Sequence, residues 1–553
     1  MMKAVSLAGC AVLGLLALLV AMAMAQQPFA TNDGPVHLAF ADLIAHLHDD
    51  QGRALQREAY RVDLRLTPNL LPYLLMAGLV ELSSVRIAES IVQLLCLLAP
   101  TIAAWCALRA IRRDNAWLAI FVFPLSLNQL FFLGLYNYCL STAVFFLVVA
   151  AFWKLQEARS LAWSVGLGAL LSLELTTHAG GFVAAMAGVG ALTAGHVALA
   201  WRRERAGPVA ALMQQWRAIL AMLIPLPLLW MSLSESAGTP VLFGPGPWER
   251  AISAGRLSIL RQTGGADSII ALALSLGLAA SLAWAVVRII RQGSRLPDRA
   301  VDAMVATLAA LAVSVVLMFA FPDTMGGGWT HFYRLILFPY FWIVLLLAQQ
   351  SFSARAAWGL LGFVSAVSFA LLGSTMKNEA LVRAQMEPLR QVDRLVGAHC
   401  TVLPVVLESR PVDSTGGAIA TTRMPYFQNA SRLEAHDDRL VLFNYLARLP
   451  NYPVRFLPQV EPQRLIFHWP PHYRGTTFDA VDVAGFEKAS GIPVDYLLLI
   501  GDPRRQEGAL GEGLRLLTAP SQPLFASPDH RVSLYLRPRQ PNSRCVPAPA
   551  GEP

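Results

Sequence analysis

Charge is what this sequence has least of. Only 14% of its 553 residues are Asp, Glu, Lys or Arg, against about 25% in soluble domains, and that shortage excludes a chain folded wholly in water. Cysteine is scarce too. Of the six, Cys10, Cys96, Cys106 and Cys139 lie in or beside apolar runs without metal-ligand spacing, so they read as small apolar packers, not as a zinc module. There is no GxSxG, HExxH or CxxC pattern, which leaves serine-hydrolase, zinc-protease and redox-disulfide readings unsupported. The run Gly326-Gly327-Gly328 lacks the preceding strand and following Lys-Ser/Thr of a phosphate loop and reads as a flexible joint. No internal sequence repeat is present.

Apolar residues fill the space that charge leaves. They make up 55% of the chain, and mean hydropathy is +0.49. Crossing a bilayer takes about 20 such residues in a helix. Eleven runs approach that length: 5–25, 87–108, 116–134, 139–153, 161–177, 182–200, 218–236, 268–290, 302–321, 333–350 and 356–375. The expected fold is a multi-pass α-helical membrane protein with a small C-terminal α/β soluble domain. Its parts are a first transmembrane helix or signal anchor at 1–25, a first outer loop at 26–86, a helical bundle at 87–375 and the soluble domain at 376–553. Ala23-Met24-Ala25 also suits a signal-peptidase site, so cleavage is the alternative for the first run.

The net charge of +8 is not a nucleic-acid signal, because the basic residues fall in every second loop. Starting with Lys3 inside, those loops hold Arg109, Arg112 and Arg113; Lys154 and Arg159; Arg202, Arg203, Arg205 and Arg217; Arg288, Arg291, Arg295 and Arg299; and Arg355. That alternation predicts an inner-membrane protein with these loops cytoplasmic and everything after 376 periplasmic or extracellular.

The long first outer loop is itself basic, with Arg53, Arg57, Arg61 and Arg65. A solvated strand face accounts for the Arg57–Arg65 run better than a lipid-binding one. Gly34-Pro35 predicts a helix over Val36–His48, and alternation predicts a strand over Tyr60–Leu66. Leu70–Leu82 is apolar but short and contains Pro72, so it reads as interfacial or re-entrant, a full crossing being the alternative. In the tail, Thr401–Leu407, Tyr496–Ile500 and Val532–Leu536 read as strands, and Arg439–Arg448 and Val483–Ala489 as helices. Cys400 and Cys545 flank this domain, so an oxidising compartment permits a disulfide between them.

Polar groups are expensive at membrane depth, so those that persist beside apolar runs are candidates for function. Four clusters qualify, and all map to the outer side: Asp33 with His37; Tyr136, Asn137 and Tyr138; Glu174, Thr176, Thr177 and His178; and Asp323, His331 and Arg334. Each also has a plainer explanation. Asp33 suits a helix N-cap, His178 a packing residue beside Gly180-Gly181, Tyr136 and Tyr138 interfacial anchors, and Arg334 a snorkelling cation.

The segments NDGPVHLAFA, FFLGLYNYCLS, TTHAGGF and HFYRLILFPY, set in this architecture, resemble the GT-C superfamily of membrane glycosyltransferases, in its uncharacterised bacterial multi-pass branch. The resemblance implies transfer of a sugar, with inversion, from a polyprenyl-phosphate or polyprenyl-diphosphate carrier to a glycan, lipid or protein acceptor outside the cytoplasm. It implies that Asp33, at the first-loop acidic position, is the general base. Arg334, with His178 or His331, would stabilise the phosphate leaving group. The substrate-binding set is then His37, Tyr136, Asn137, His178, His331 and Arg334, with membrane lipids around them and no nucleic acid. Many members carry two adjacent acids where this chain has Asn32-Asp33, so no cofactor is expected and a divalent metal would lack its second carboxylate. A transporter or flippase of a lipid-linked substrate and a non-enzymatic envelope assembly protein remain as alternatives.

Overall fold

The computed structural model describes residues 2–48, 52–204, 207–235, 241–262, 265–292, 298–325, 330–410, 423–435, 438–449, 452–469, 480–519 and 521–548. The glycine run at 326–328 lies outside them. Among the described residues, eight helices are long and apolar enough to cross a membrane: Lys3–Ala25, Val85–Ile111, Tyr136–Ala158, Ala179–Arg202, Ala266–Arg291, Ala300–Ala320, His331–Ala348 and Ala354–Leu395. Eight of the eleven apolar runs fall in them, and the protein is integral to the membrane.

The other three runs take different forms. Leu161–Thr177 is a helix of 17 residues, capped by the Ser160 side chain. The run at 218–236 belongs to a broken pair, Pro208–Gln214 and Trp216–Ser232, bent by 65°. The run at 116–134 is a 3-10 helix, Arg113–Phe121, followed by the short helices Val122–Ser126 and Gln129–Phe132. Asn128 separates the last two, its side chain accepting from the N–H groups of Leu130 and Phe131. Lipid cannot satisfy so broken a backbone, but here every residue from Asn115 to Ser126 is buried in protein. This passage links the two ends of the bundle. Asn115 donates to the carbonyls of Ala348 and Gln350 at one end, and the carbonyls of Phe132 and Leu133 accept from Asn32 and Asp33 at the other.

Several basic loops gather at the first of these ends. Arg112 donates to the Gln350 carbonyl at 3.1 Å and Arg288 to the Ser351 hydroxyl at 2.7 Å. Residues 26–84 and the tail meet at the opposite end. Pro35 starts the helix Gly34–His46, slightly earlier than expected. Leu70–Leu82 is a helix of 13 residues, about 20 Å long and too short to span.

The predicted strand over Tyr60–Leu66 is shorter in the structure, because β1 (Tyr60–Val62) ends where its partner does. That partner, β4 (Val454–Phe456), belongs to the tail and pairs with β1 antiparallel. Ala54–Ala59 is anchored beside it, since Asp438 accepts from the N–H groups of Leu55 and Gln56. The segment after the first span is thus bolted to the tail.

The last long helix, Ala354–Leu395, has 42 residues, about 63 Å, roughly twice the hydrocarbon thickness. Its second half leaves the bilayer and delivers the chain to a five-stranded sheet ordered β3-β2-β5-β7-β6. The strands are β2 (Thr401–Val406), β3 (Leu440–Val441), β5 (Tyr496–Ile500), β6 (Phe525–Ala526) and β7 (Val532–Leu536). β3, β2 and β5 are parallel, whereas β7 runs antiparallel to β5 and β6. Burial on both faces explains the unbroken apolar runs of β2 and β5.

The expected helix over Arg439–Arg448 is not formed. Leu440 and Leu442 instead donate to the carbonyls of Cys400 and Val402 along the sheet edge, and only a 3-10 turn, Tyr445–Arg448, follows. Val483–Ser490 is helical, with Asp482 as cap and Gly491 as stop. A disulfide joins Cys400 to Cys545, tying the end of the tail to the start of β2.

Candidate active site

Two of the motifs singled out from the sequence meet at Asp33. Asn32 and Asp33 donate their N–H groups to Phe132 and Leu133 at 3.1 and 3.0 Å, which docks the NDG turn onto the FFLG turn. Gly134 has φ +80, and a Cβ there would lie 2.5 Å from the nitrogen of Gly34 and 2.9 Å from that of Asp33; only glycine permits this approach. The Asn32 side chain accepts from the N–H of Met424 in the tail. Behind the turn, the Tyr136 hydroxyl lies 3.1 Å from Thr31 Oγ1 and accepts from Gln93 at 2.8 Å.

Asp33 stands at the N-cap position of Gly34–His46, yet its carboxylate accepts nothing from the helix. The Tyr445 hydroxyl donates to it at 3.3 Å. Burial pushes the Asp33 carboxyl up to about 7, while the Tyr445 hydrogen bond and the positive charge of Arg334 pull it back down. Capping alone therefore does not account for this aspartate.

Arg334 lies within electrostatic range of Asp33, Tyr138, Tyr445 and Tyr452. Its backbone carbonyl accepts from the Tyr138 hydroxyl at 2.6 Å, and its Nη1 is 2.9 Å from His178 Nε2. The Gly181 N–H faces the other ring nitrogen, Nδ1, at 3.2 Å; a guanidinium only donates, so the shorter contact makes Nε2 the acceptor and His178 a group that orients Arg334. The Arg334 Nε–H is buried without a hydrogen-bond partner among the described residues. A guanidinium with a donor left over suits an anion.

The remaining candidates surround this centre, and His331 lies within electrostatic range of His178. The His37 Nδ1 bonds to the Tyr73 hydroxyl, and burial pushes the ring down to about 3, so it is neutral. Tyr136 and Tyr138 are both buried, which rules out roles as interfacial anchors. Asn137 donates to Asn69 in the segment between the first two spans. His331 takes the N–H of its own residue to the Asp323 carbonyl and its Nε2 to within 3.2 Å of the Met325 carbonyl. Tyr445 and Tyr452, which the structure adds, come from the tail; Tyr445 is 412 positions from Asp33, and no local pattern marks it.

The residues around Asp33 do not fit a divalent metal. Its neighbours are a tyrosine and an arginine, and Asn32 stands where a second acid would be. Among the described residues the one cluster with metal-like spacing is Cys400, Asp495 and Cys545, and there both sulfurs are spent in the disulfide.

The architecture is that of the GT-C fold, as the likeness to solved structures shows. ArnT from Cupriavidus metallidurans bound to undecaprenyl phosphate superposes with a TM-score of 0.55 at 13% identity, over 95% of this chain and 97% of that one. Its apo state gives 0.53 at 12% identity with the same coverage. The oligosaccharyltransferase AglB of Archaeoglobus fulgidus, in complex with an inhibitory peptide and a dolichol-phosphate, gives 0.43 at 11% identity over 98% of this chain and 76% of that one. No family model matches the sequence, and no curated protein matches it either.

Proposed function

We propose that the protein is an inverting glycosyltransferase that moves a sugar from a polyprenyl-phosphate-linked donor to an acceptor at the outer face of the inner membrane, with Asp33 as general base. One observation carries this reading: a buried carboxyl tuned to about 7 faces the Arg334 cation, on a fold shared with a protein solved with undecaprenyl phosphate. The reaction is a single displacement. The acceptor oxygen attacks the anomeric carbon, its proton passes to a carboxylate oxygen of Asp33, and the bond from the anomeric carbon to the phosphate oxygen breaks. The leaving polyprenyl phosphate keeps the electron pair, and the Arg334 guanidinium, oriented by His178, holds its charge.

Tyr445 orients the Asp33 carboxylate from above, so the soluble domain completes the site. The basic loops at the far end of the bundle support an outward-facing site by the positive-inside rule. The charged groups lie at helix ends, which weighs against a transporter with its site at the midplane. The test is to express Asp33→Asn at wild-type abundance and compare glycolipid and glycan profiles by mass spectrometry. Loss of one glycosylated product is expected; an unchanged profile would remove Asp33 from the chemistry.

A further inference from the structure

A cavity of about 310 Å³ shares no residue with the Asp33, His178 and Arg334 site. Its walls include Gln27, Ser84, Arg86, Arg383, Arg390 and Arg432. Gln27 follows the span Lys3–Ala25, and Arg86 stands at the start of the span Val85–Ile111. The cavity therefore lies where two crossings leave the hydrocarbon, at the depth of lipid head groups.

Four guanidiniums line this one space, and the acids nearby are already committed. Arg383 pairs with Glu379 at 3.1 Å, but Glu379 is also held by Arg423 at 2.6 Å. Arg432 pairs with Glu89 at 2.8 Å and Arg390 with Glu387 at 3.0 Å. Asp393, on the cavity wall, is taken by Arg439 at 2.7 Å. Arg86 is exposed and has no partner among the described residues. Arg390 lies within repulsive range of both Arg383 and Arg432. Guanidiniums that crowd one another around a space whose other polar walls include Ser84 and Gln27, which accepts from Arg390 and Arg383, form a positive basin, and arginine forks match phosphate oxygens in pairs.

We infer that this cavity binds a phosphate group at the membrane surface, independently of the Asp33 site. The phosphate comes either from an anionic lipid head group or from a free phosphate, and the same side chains serve both. The test uses the purified full-length protein in detergent, with three probes: short-chain phosphatidylglycerol, net-neutral phosphatidylcholine and inorganic phosphate. Binding is read by native mass spectrometry and by thermal shift.

The variants are Arg86→Gln, Arg390→Gln, the double variant and, as a control for the other site, Arg334→Gln. Arg86 and Arg390 are chosen because neither has a buried ion-pair partner, and an unchanged melting curve without ligand verifies folding. The expected result is binding of phosphatidylglycerol, phosphate or both, weakened at least tenfold in the double variant and unaltered by Arg334→Gln. Whichever of the two probes is retained identifies the source. Binding of neither, equal binding of phosphatidylcholine, or loss in Arg334→Gln with none in the double variant overturns the inference.

Discussion

Asp33 begins a helix without bonding to its N–H groups, and that leaves its carboxyl free for other work. Burial holds the carboxyl at about 7, above its ordinary 3.8. Below 3.8 both folded and unfolded chains keep the proton. Between 3.8 and about 7 only the folded chain keeps it, so this group's contribution to stability falls as pH rises, and the loss is complete above 7. The loss is on the order of 4 kcal/mol, at about 1.4 kcal/mol per pKa unit. Asp33→Asn should therefore melt at the wild-type temperature at pH 4 and higher at pH 8 in detergent thermal-shift assays. A lower melting temperature at pH 8 would mean that Asp33 is a structural cap after all.

Tyr445 favours the charged carboxylate, so Tyr445→Phe should shift the acid limb of the pH–rate profile upward, by up to about one unit. A limb that stays in place would separate Tyr445 from the base. Asp33, His178 and Arg334 were legible in the sequence because each is a polar group next to an apolar run. Tyr445 was not, since its contact with Asp33 closes over most of the chain and its own neighbours, Leu440–Arg448, read as a helix.

The irregular passage from Arg113 to Phe132 is the element that places the base. Its apolar composition announced a crossing, but not that the crossing would be made by 3-10 and short helical turns packed inside the bundle. Its last turn, at Gly134, sits against the backbone of Asp33 and Gly34. Gly134→Ala adds a left-handed backbone cost of about 1 kcal/mol and pushes on the Asp33 backbone. Misplacement of a catalytic group by about 1 Å can cost about a hundredfold in rate. Transfer should fall at least tenfold in this variant while membrane insertion, checked by fractionation, stays normal. Full activity would show that the Asp33 turn does not depend on this contact. The tail strands β2, β5 and β7 were legible because each carries its own apolar run, whereas β3 owes its form to the edge of β2, which no local window contains.

The whole molecule joins a bundle and a soluble domain through contacts distant in sequence: β1 with β4, Asn32 with Met424, and Arg423 with Glu379 and the ring of Phe132. The expected sidedness follows from the basic loops. A cysteine replacing exposed Arg515 in the tail should react with an impermeant maleimide added to intact cells, and one replacing Arg113 should not; the reverse labelling would invert the topology. The bundle was legible in the sequence because hydropathy and loop charge are read locally. The packing of the tail over Asp33 was not, because it rests on side chains that meet only after folding.

The most direct measurement of the central claim is sugar transfer by the purified protein in proteoliposomes, followed from pH 5 to 9 with a labelled polyprenyl-phosphate donor and an extract of envelope acceptors. Wild type should form product at a rate that rises with pH and levels off above about 7, and Asp33→Asn should be slower by about a hundredfold or more at every pH. Equal product from Asp33→Asn, at equal protein and with the same pH profile, would contradict the assignment of Asp33 as the base.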